Sequence, residues 1–188
     1  MNEFNKIQQF VSQVETYEYD FNIKRHKLEG TRNEFILEVY KFFNEYVLGS
    51  VKKSFSAMTA WSYGESEEER MKSIASMCKR KLFAIEEYTD TQYDSVITNE
   101  NISGNLFVCY MGDYKIGMRQ NNYSERWMVN RIDGSYKIVA VEVVDSSSPE
   151  GWIEFRQWKS IENWGTRVNT LKLTPPERES DLEHYNSL

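Results

Sequence analysis

Two histidines, His26 and His184, and two cysteines, Cys78 and Cys109, are the chain's whole stock of imidazole and thiol. Neither histidine has a carboxylate at the helical or strand spacing that would complete a metal site. No Cys–His pair stands at a recognisable nucleophile–base spacing, and there is no Gly-rich phosphate loop or nucleophile elbow. Acid–base chemistry would fall to a single carboxylate or phenol in a closed pocket, for which Asp20, Tyr40 and Asp94 are candidates. A solvated or structural role is the simpler account of all three. The sequence therefore names no catalytic residue, no metal and no cofactor, and the expectation leans away from an enzyme.

Recognition chemistry is easier to place. Gly151–Trp158 alternates as a strand, with Ile153 and Phe155 facing one way and Trp152, Glu154, Arg156 and Trp158 the other. Trp and Arg are enriched at protein contacts, so this quartet reads as a partner-binding patch. The competing account is that the C-terminal segment folds back over this face. Cys78, on the apolar face of a helix, and Cys109, inside a strand, read as inert core thiols.

The elements that must position these residues begin with helices. Phe4, Ile7, Val11, Val14, Tyr17 and Phe21 recur at three- and four-residue steps and predict an amphipathic helix toward Arg25, broken by Gly30. Thr31-Arg32-Asn33-Glu34 is a capping box, and Phe35, Val39, Phe43 and Val47 form the stripe behind it, with Gly49 as the stop. Val51, Phe55 and Met58 predict a short third helix ending near Trp61. Ser66-Glu67-Glu68-Glu69 opens another, whose apolar positions Met71, Ile74, Ala75, Cys78, Leu82 and Ile85 predict helix to about residue 88.

Strands are expected at Tyr93–Thr98, Asn105–Met111, Tyr114–Gln120, Ser124–Ile132, Tyr136–Val144, Gly151–Trp158 and Arg167–Leu171. Gly112-Asp113 and Asp133-Gly134 sit in two-residue gaps, and Asp-Gly is a strong hairpin signal because a type I′ turn needs positive φ twice. The result is an antiparallel meander. Leu106, Val108 and Tyr110 oppose Phe107, Cys109 and Met111. Val139, Val141 and Val143 oppose Ile138, Ala140 and Val144. Both strands are apolar on two faces and need two covers, of which the helices supply one; a protein partner, a homodimer through the sheet, or a lined pocket would supply the other.

The organisation expected is one α+β domain over residues 1–173, with helices within 3–88, an antiparallel sheet within 93–171, and an acidic C-terminal tail, 174–188, after Pro175-Pro176. Basic residues number 13 against 17 acidic over the first hundred positions and 10 against 12 over the rest, for a net charge of −6. No basic run exceeds Lys79-Arg80-Lys81, which disfavours nucleic acid, while the sign of the field suits a basic protein partner. No leader pattern or membrane-length apolar stretch is present, so the chain is expected to be soluble and cytoplasmic. The sequons at Asn101 and Asn122 matter only in a secreted eukaryotic protein.

One stretch carries a resemblance. Glu125-Arg126-Trp127-Met128-Val129-Asn130-Arg131-Ile132-Asp133-Gly134-Ser135-Tyr136-Lys137-Ile138-Val139 is similar to the hairpin in the last strands of the nuclear-transport-factor-two-like superfamily, which includes ketosteroid isomerase and the SnoaL-type cyclases. The layout covers roughly residues 30–158. The resemblance implies N-terminal helices packed on a curved antiparallel sheet, cone-like and cystatin-like. It implies no activity, because the motif is a packing signature and the family's catalytic Asp or Tyr maps onto no position here. The chain departs from the family in its extra N-terminal helix, additional helix before the sheet, and extension after Trp158. Members without catalysis dimerise or bind proteins through the sheet, and one branch comprises bacterial immunity proteins. The implied function is a protein-binding module, an immunity protein that occludes a secreted toxin. The alternative is a small-molecule binder or isomerase/cyclase-like enzyme with a pocket between helices and sheet.

Overall fold

A computed structural model of the chain describes residues 2–48, 64–77, 79–95, 97, 100–112, 123–145, 161–176 and 179–188. The fold is α+β, with helices leading and an antiparallel sheet following. Helix α1, Glu3–His26, starts where the Asn2 side chain accepts from the Phe4 amide. Helix α2, Arg32–Tyr46, starts at the expected capping box: Glu34 N donates to Thr31 Oγ1 and Thr31 N to Glu34 Oε2. The two helices meet through rings, with Tyr17 stacked on Phe42 at 5.1 Å and Phe21 edge-on to Phe35 at 5.9 Å. All four residues of the α2 stripe are buried, and so are Phe42 and Tyr46.

Helix α3, Glu67–Ser76, opens at the second capping box, Ser66 with Glu69. It stops earlier than the apolar spacing predicts, and Met71 is exposed. Leu82 and Ile85 belong instead to strand β1, Lys81–Thr89. A short apolar run such as Leu82–Ile85 has no period of its own, so spacing cannot separate a buried strand from a buried helix. Two neighbouring strands decide the matter here, because β1 is hydrogen-bonded on both edges. The expected third helix at 51–61, and Cys78, lie outside the described residues.

The other strands are β2 (Gln92–Tyr93), β3 (Ile102–Gly112), β4 (Tyr123–Ile132), β5 (Ser135–Asp145), β6 (Ile161–Asn163) and β7 (Thr166–Lys172). The five-stranded sheet runs β5-β4-β3-β1-β7, and β2 pairs with β6. Among the described strands only β3, β4 and β5 form a meander; β1 comes first in the chain yet lies between β3 and β7. Of the strand expected over Tyr93–Thr98, Tyr93 stands in β2, whereas Ile97 N returns to Asp94 O and Glu100 N to Ile97 O in turns; Val96 and Thr98 lie outside the described residues. Tyr114–Gln120 and Gly151–Trp158 lie outside the described residues. Asp133 and Gly134 take φ of 49° and 82° between β4 and β5, as a type I′ turn requires.

Register sorts the faces. Phe107, Cys109, Trp127, Val129 and Ile85 point to the helices, as the Phe4–Phe107 ring contact at 6.0 Å shows. Leu106, Val108, Tyr110, Arg126, Met128, Asn130 and Glu86 point away. In β5 the simple alternation fails. A bulge lets Ile138 pair with Val129 and Val141 with Trp127, so these two share the helix face although their numbers differ by an odd step.

Both faces are buried, and the chain itself supplies the second cover. The β2–β6 ribbon sends Tyr93 to Asn130 and Trp164 to Arg126, while helix α4, Glu179–Ser187, lays the His184 ring 4.5 Å from Tyr110. The acidic stretch 174–188 thus contains a helix that caps the sheet. Gly165 permits the tight approach of β7 to β1: its φ is +86°, and a Cβ there would sit 1.9 Å from Thr89 O. No helix among the described residues is long and apolar enough to cross a membrane.

Candidate functional site

The quartet expected to bind a partner, Trp152, Glu154, Arg156 and Trp158, lies outside the described residues. Among those described, the ionisable side chains gather in two places, one on each face of the sheet.

On the helix face, Arg80 immediately precedes β1. Its backbone N–H donates to Glu15 Oε1 at 2.7 Å, its Nε to both Glu15 oxygens, and its Nη2 to Glu15 Oε2 at 2.7 Å. Glu18, one turn further along α1, and Glu125 of β4 bind the same guanidinium. The Trp127 ring centroid lies 5.2 Å from Arg80 Cζ, and the indole N–H donates to Glu125 at 2.8 Å. Three carboxylates on one buried cation leave an excess of negative charge. Burial pushes Glu18 up to about 7; Arg80 opposes the shift, and Glu125 and Glu15 reinforce it. Burial works against the Arg80 charge, yet the carboxylates more than offset it and hold its pKa well above the usual arginine value.

On the opposite face, Glu86 of β1 is only 1% exposed. Its Oε2 accepts from Tyr88 Oη at 3.0 Å and from Tyr110 Oη, and its Oε1 accepts from Arg167 Nη1 of β7 at 2.5 Å. An irregularity in the β1–β7 register, between Glu87 and Tyr88, sets Arg167 opposite Tyr88 and within reach of the carboxylate. Beside it Arg126 pairs with Glu142 and lies over Trp164 at 4.9 Å and Tyr110 at 5.9 Å. Burial, then the Glu86 charge, pushes Tyr88 up to about 12 and Tyr110 higher still. Burial and then the Arg126 charge hold His184 below its ordinary value, so the ring facing Tyr110 is neutral at pH 7.

The acid candidates read from sequence do not converge. Asp20 and Tyr40 are exposed on α1 and α2, and Asp94 is half-buried after β2. His26 binds Asn22 O through Nδ1 at 2.8 Å. Cys109 is buried in β3, and burial pushes its thiol up. Among the described residues no three His, Cys, Asp or Glu side chains form a metal-binding group. Glu86 and Arg80 escaped sequence reading because the stretch around them was expected to be helix. The signal was present: a charged residue directly after the apolar run Leu82–Ile85.

No family model, no curated protein and no solved structure matches this chain.

Proposed function

We propose that the chain is a protein-binding module without catalysis, an immunity protein that neutralises a secreted bacterial toxin by occlusion in the cytoplasm, built on a nuclear-transport-factor-two-like cone. The observation that carries this reading is the contrast between interior and surface. The buried charges Arg80 and Glu86 are engaged by partners from within the chain, in networks that hold elements together. Large apolar groups meanwhile stand open on α2, where Leu37 and Tyr40 are each 61% exposed and one turn apart. Leu37 also borders a shallow groove of about 390 Å³, together with Lys24, Glu38 and Lys41. Exposed apolar side chains with a charged rim are what a partner covers. The net charge of −6 would steer a basic partner.

The test is co-purification from native lysate with the wild-type chain, the Leu37→Ser/Tyr40→Ser variant and the Trp152→Ala/Trp158→Ala variant. One stoichiometric protein, lost with either variant at unchanged circular dichroism and inhibited by the wild-type chain when assayed alone, supports the reading. Co-purification of a small molecule and no protein overturns it.

A pocket enzyme is the second reading, favoured by the buried Glu86 beside two raised phenols and a neutral imidazole. That constellation faces away from α1 and α2, so its pocket would open under α4 and the β2–β6 ribbon.

A further inference from the structure

Glu86 divides its two oxygens unequally. Oε2 takes both phenols, Tyr88 and Tyr110, which between them fix the plane of the carboxylate. Oε1 is thereby turned toward β7, where it meets a single guanidinium nitrogen. Tyr88 and Tyr110 come from adjacent strands and Trp164 packs edge-on to Tyr88 at 5.7 Å, so aromatic groups flank the carboxylate. A fixed carboxylate with aromatic neighbours is the chemistry that selects a guanidinium over a compact ammonium, because the planar cation both pairs and stacks. Its neighbour repeats the arrangement: Arg126 is held by Glu142, with the Trp164 and Tyr110 rings 4.9 and 5.9 Å from its Cζ.

The occupant of the Glu86 site differs from Arg126 in one respect. Arg167 comes from β7, the end strand of the described sheet, and 44% of its side chain is exposed. Burying a carboxylate costs several kcal/mol, and a half-exposed partner screened by water offsets it weakly. On this face Arg126 matches Glu142 and Arg167 matches Glu86, while Lys172 of β7 lies over the Tyr185 ring at 5.1 Å. Withdrawing Arg167 leaves the buried Glu86 carboxylate without its paired cation.

We propose that Glu86, Tyr88 and Tyr110 form a guanidinium-binding site that Arg167 fills from within the chain and that an arginine of a protein partner takes over when the Arg167 side chain swings out. The site's ligand chemistry stands alone, whereas the source of the arginine rests on the protein-binding reading.

The experiment uses full-length chains carrying Arg167→Ala, Arg167→Gln, and Glu86→Gln together with Arg167→Ala, each titrated with N-acetyl-arginine methylamide and with the matching lysine compound. Tryptophan fluorescence and melting temperature are read together. In both single variants the arginine probe should bind saturably and raise the melting temperature, about tenfold more tightly than the lysine probe. The wild type should bind it at least about tenfold more weakly, because Arg167 competes. The double variant should not respond. Absence of saturable binding by whichever single variant folds, or equal binding of lysine and arginine, overturns the site. Should neither single variant fold, rescue of folding by the arginine probe and not by the lysine probe supports the site, and failure of rescue overturns it. Binding of the probe with no protein partner recovered from lysate would leave the site standing and remove the protein-binding reading.

Discussion

Arg80 Nη2 lies 2.7 Å from Glu15 Oε2, joining the approach to β1 to the middle of α1 across 65 residues of chain. Glu18 and Glu125 close on the same cation, so one guanidinium ties the first helix to two strands of the sheet.

That clamp sets a pH dependence. Glu18 is raised to about 7 in the fold by burial, above its ordinary value of 4.5. Between those values the folded chain holds more protons than the unfolded one, so stability is highest at the acid end and is lost as pH rises to about 7. Thermal melts at stepped pH should show the decline, on the order of 3 kcal/mol, with a plateau above about 7. Glu18→Gln should flatten the profile and melt above the wild type at about pH 8, since the amide oxygen still accepts from Arg80.

Removing the cation should be costly. Arg80→Met strands three carboxylates around Trp127, with an expected loss of about 3–5 kcal/mol in urea unfolding. Arg80→Lys keeps the charge but cannot reproduce the fork that serves Glu15 and Glu18 together, and should fall between the two. A loss below about 1 kcal/mol for Arg80→Met would show that the clamp contributes nothing net.

Tyrosine ionisation offers an independent check of the packing on both faces of the sheet. Burial raises Tyr17, Tyr88, Tyr93 and Tyr136 to about 12, and Tyr110 beyond that. These phenols are neutral in the fold at pH values where the unfolded chain ionises them, so their contribution is present below about 10 and lost as pH climbs through about 12. Phenolate absorbance of the native chain should therefore lag the ordinary tyrosine curve and rise steeply at alkaline unfolding. A full ordinary titration with the circular dichroism unchanged would contradict the burial of these rings.

Two glycines with positive φ should respond unequally to alanine. At Gly165 the new Cβ meets the Thr89 carbonyl, so Gly165→Ala must shift β7 against β1 and should cost about 2 kcal/mol or more. At Gly134 the space around the Cβ is open, and only the backbone strain of the turn is felt, about 1 kcal/mol. Urea unfolding of the two variants reads the order directly.

Legibility in the sequence followed range. Both capping boxes, the stripe of α2 and the Asp133-Gly134 turn rest on contacts within four residues, and each forms where its residues stand. The end of α3 did not follow from the apolar spacing, because Leu82 and Ile85 answer to β3 and β7, which lie 20 to 90 positions away. The face of Ile138 turned on a bulge, and a single extra residue inverts alternation without marking the sequence.

The sequence by itself determined the α+β class, the starts of α2 and α3 at their capping boxes, and the need of the sheet for a second cover, since periodicity and capping are local and burial demand is additive. Tertiary structure alone decided what met that need, the β2–β6 ribbon and α4, and set Arg80 among Glu15, Glu18 and Glu125 on the other face. It also decided which carboxylate met which guanidinium. Charge pairs of this kind carry no period and no spacing, and only the folded path of the backbone brings Glu86 to Arg167.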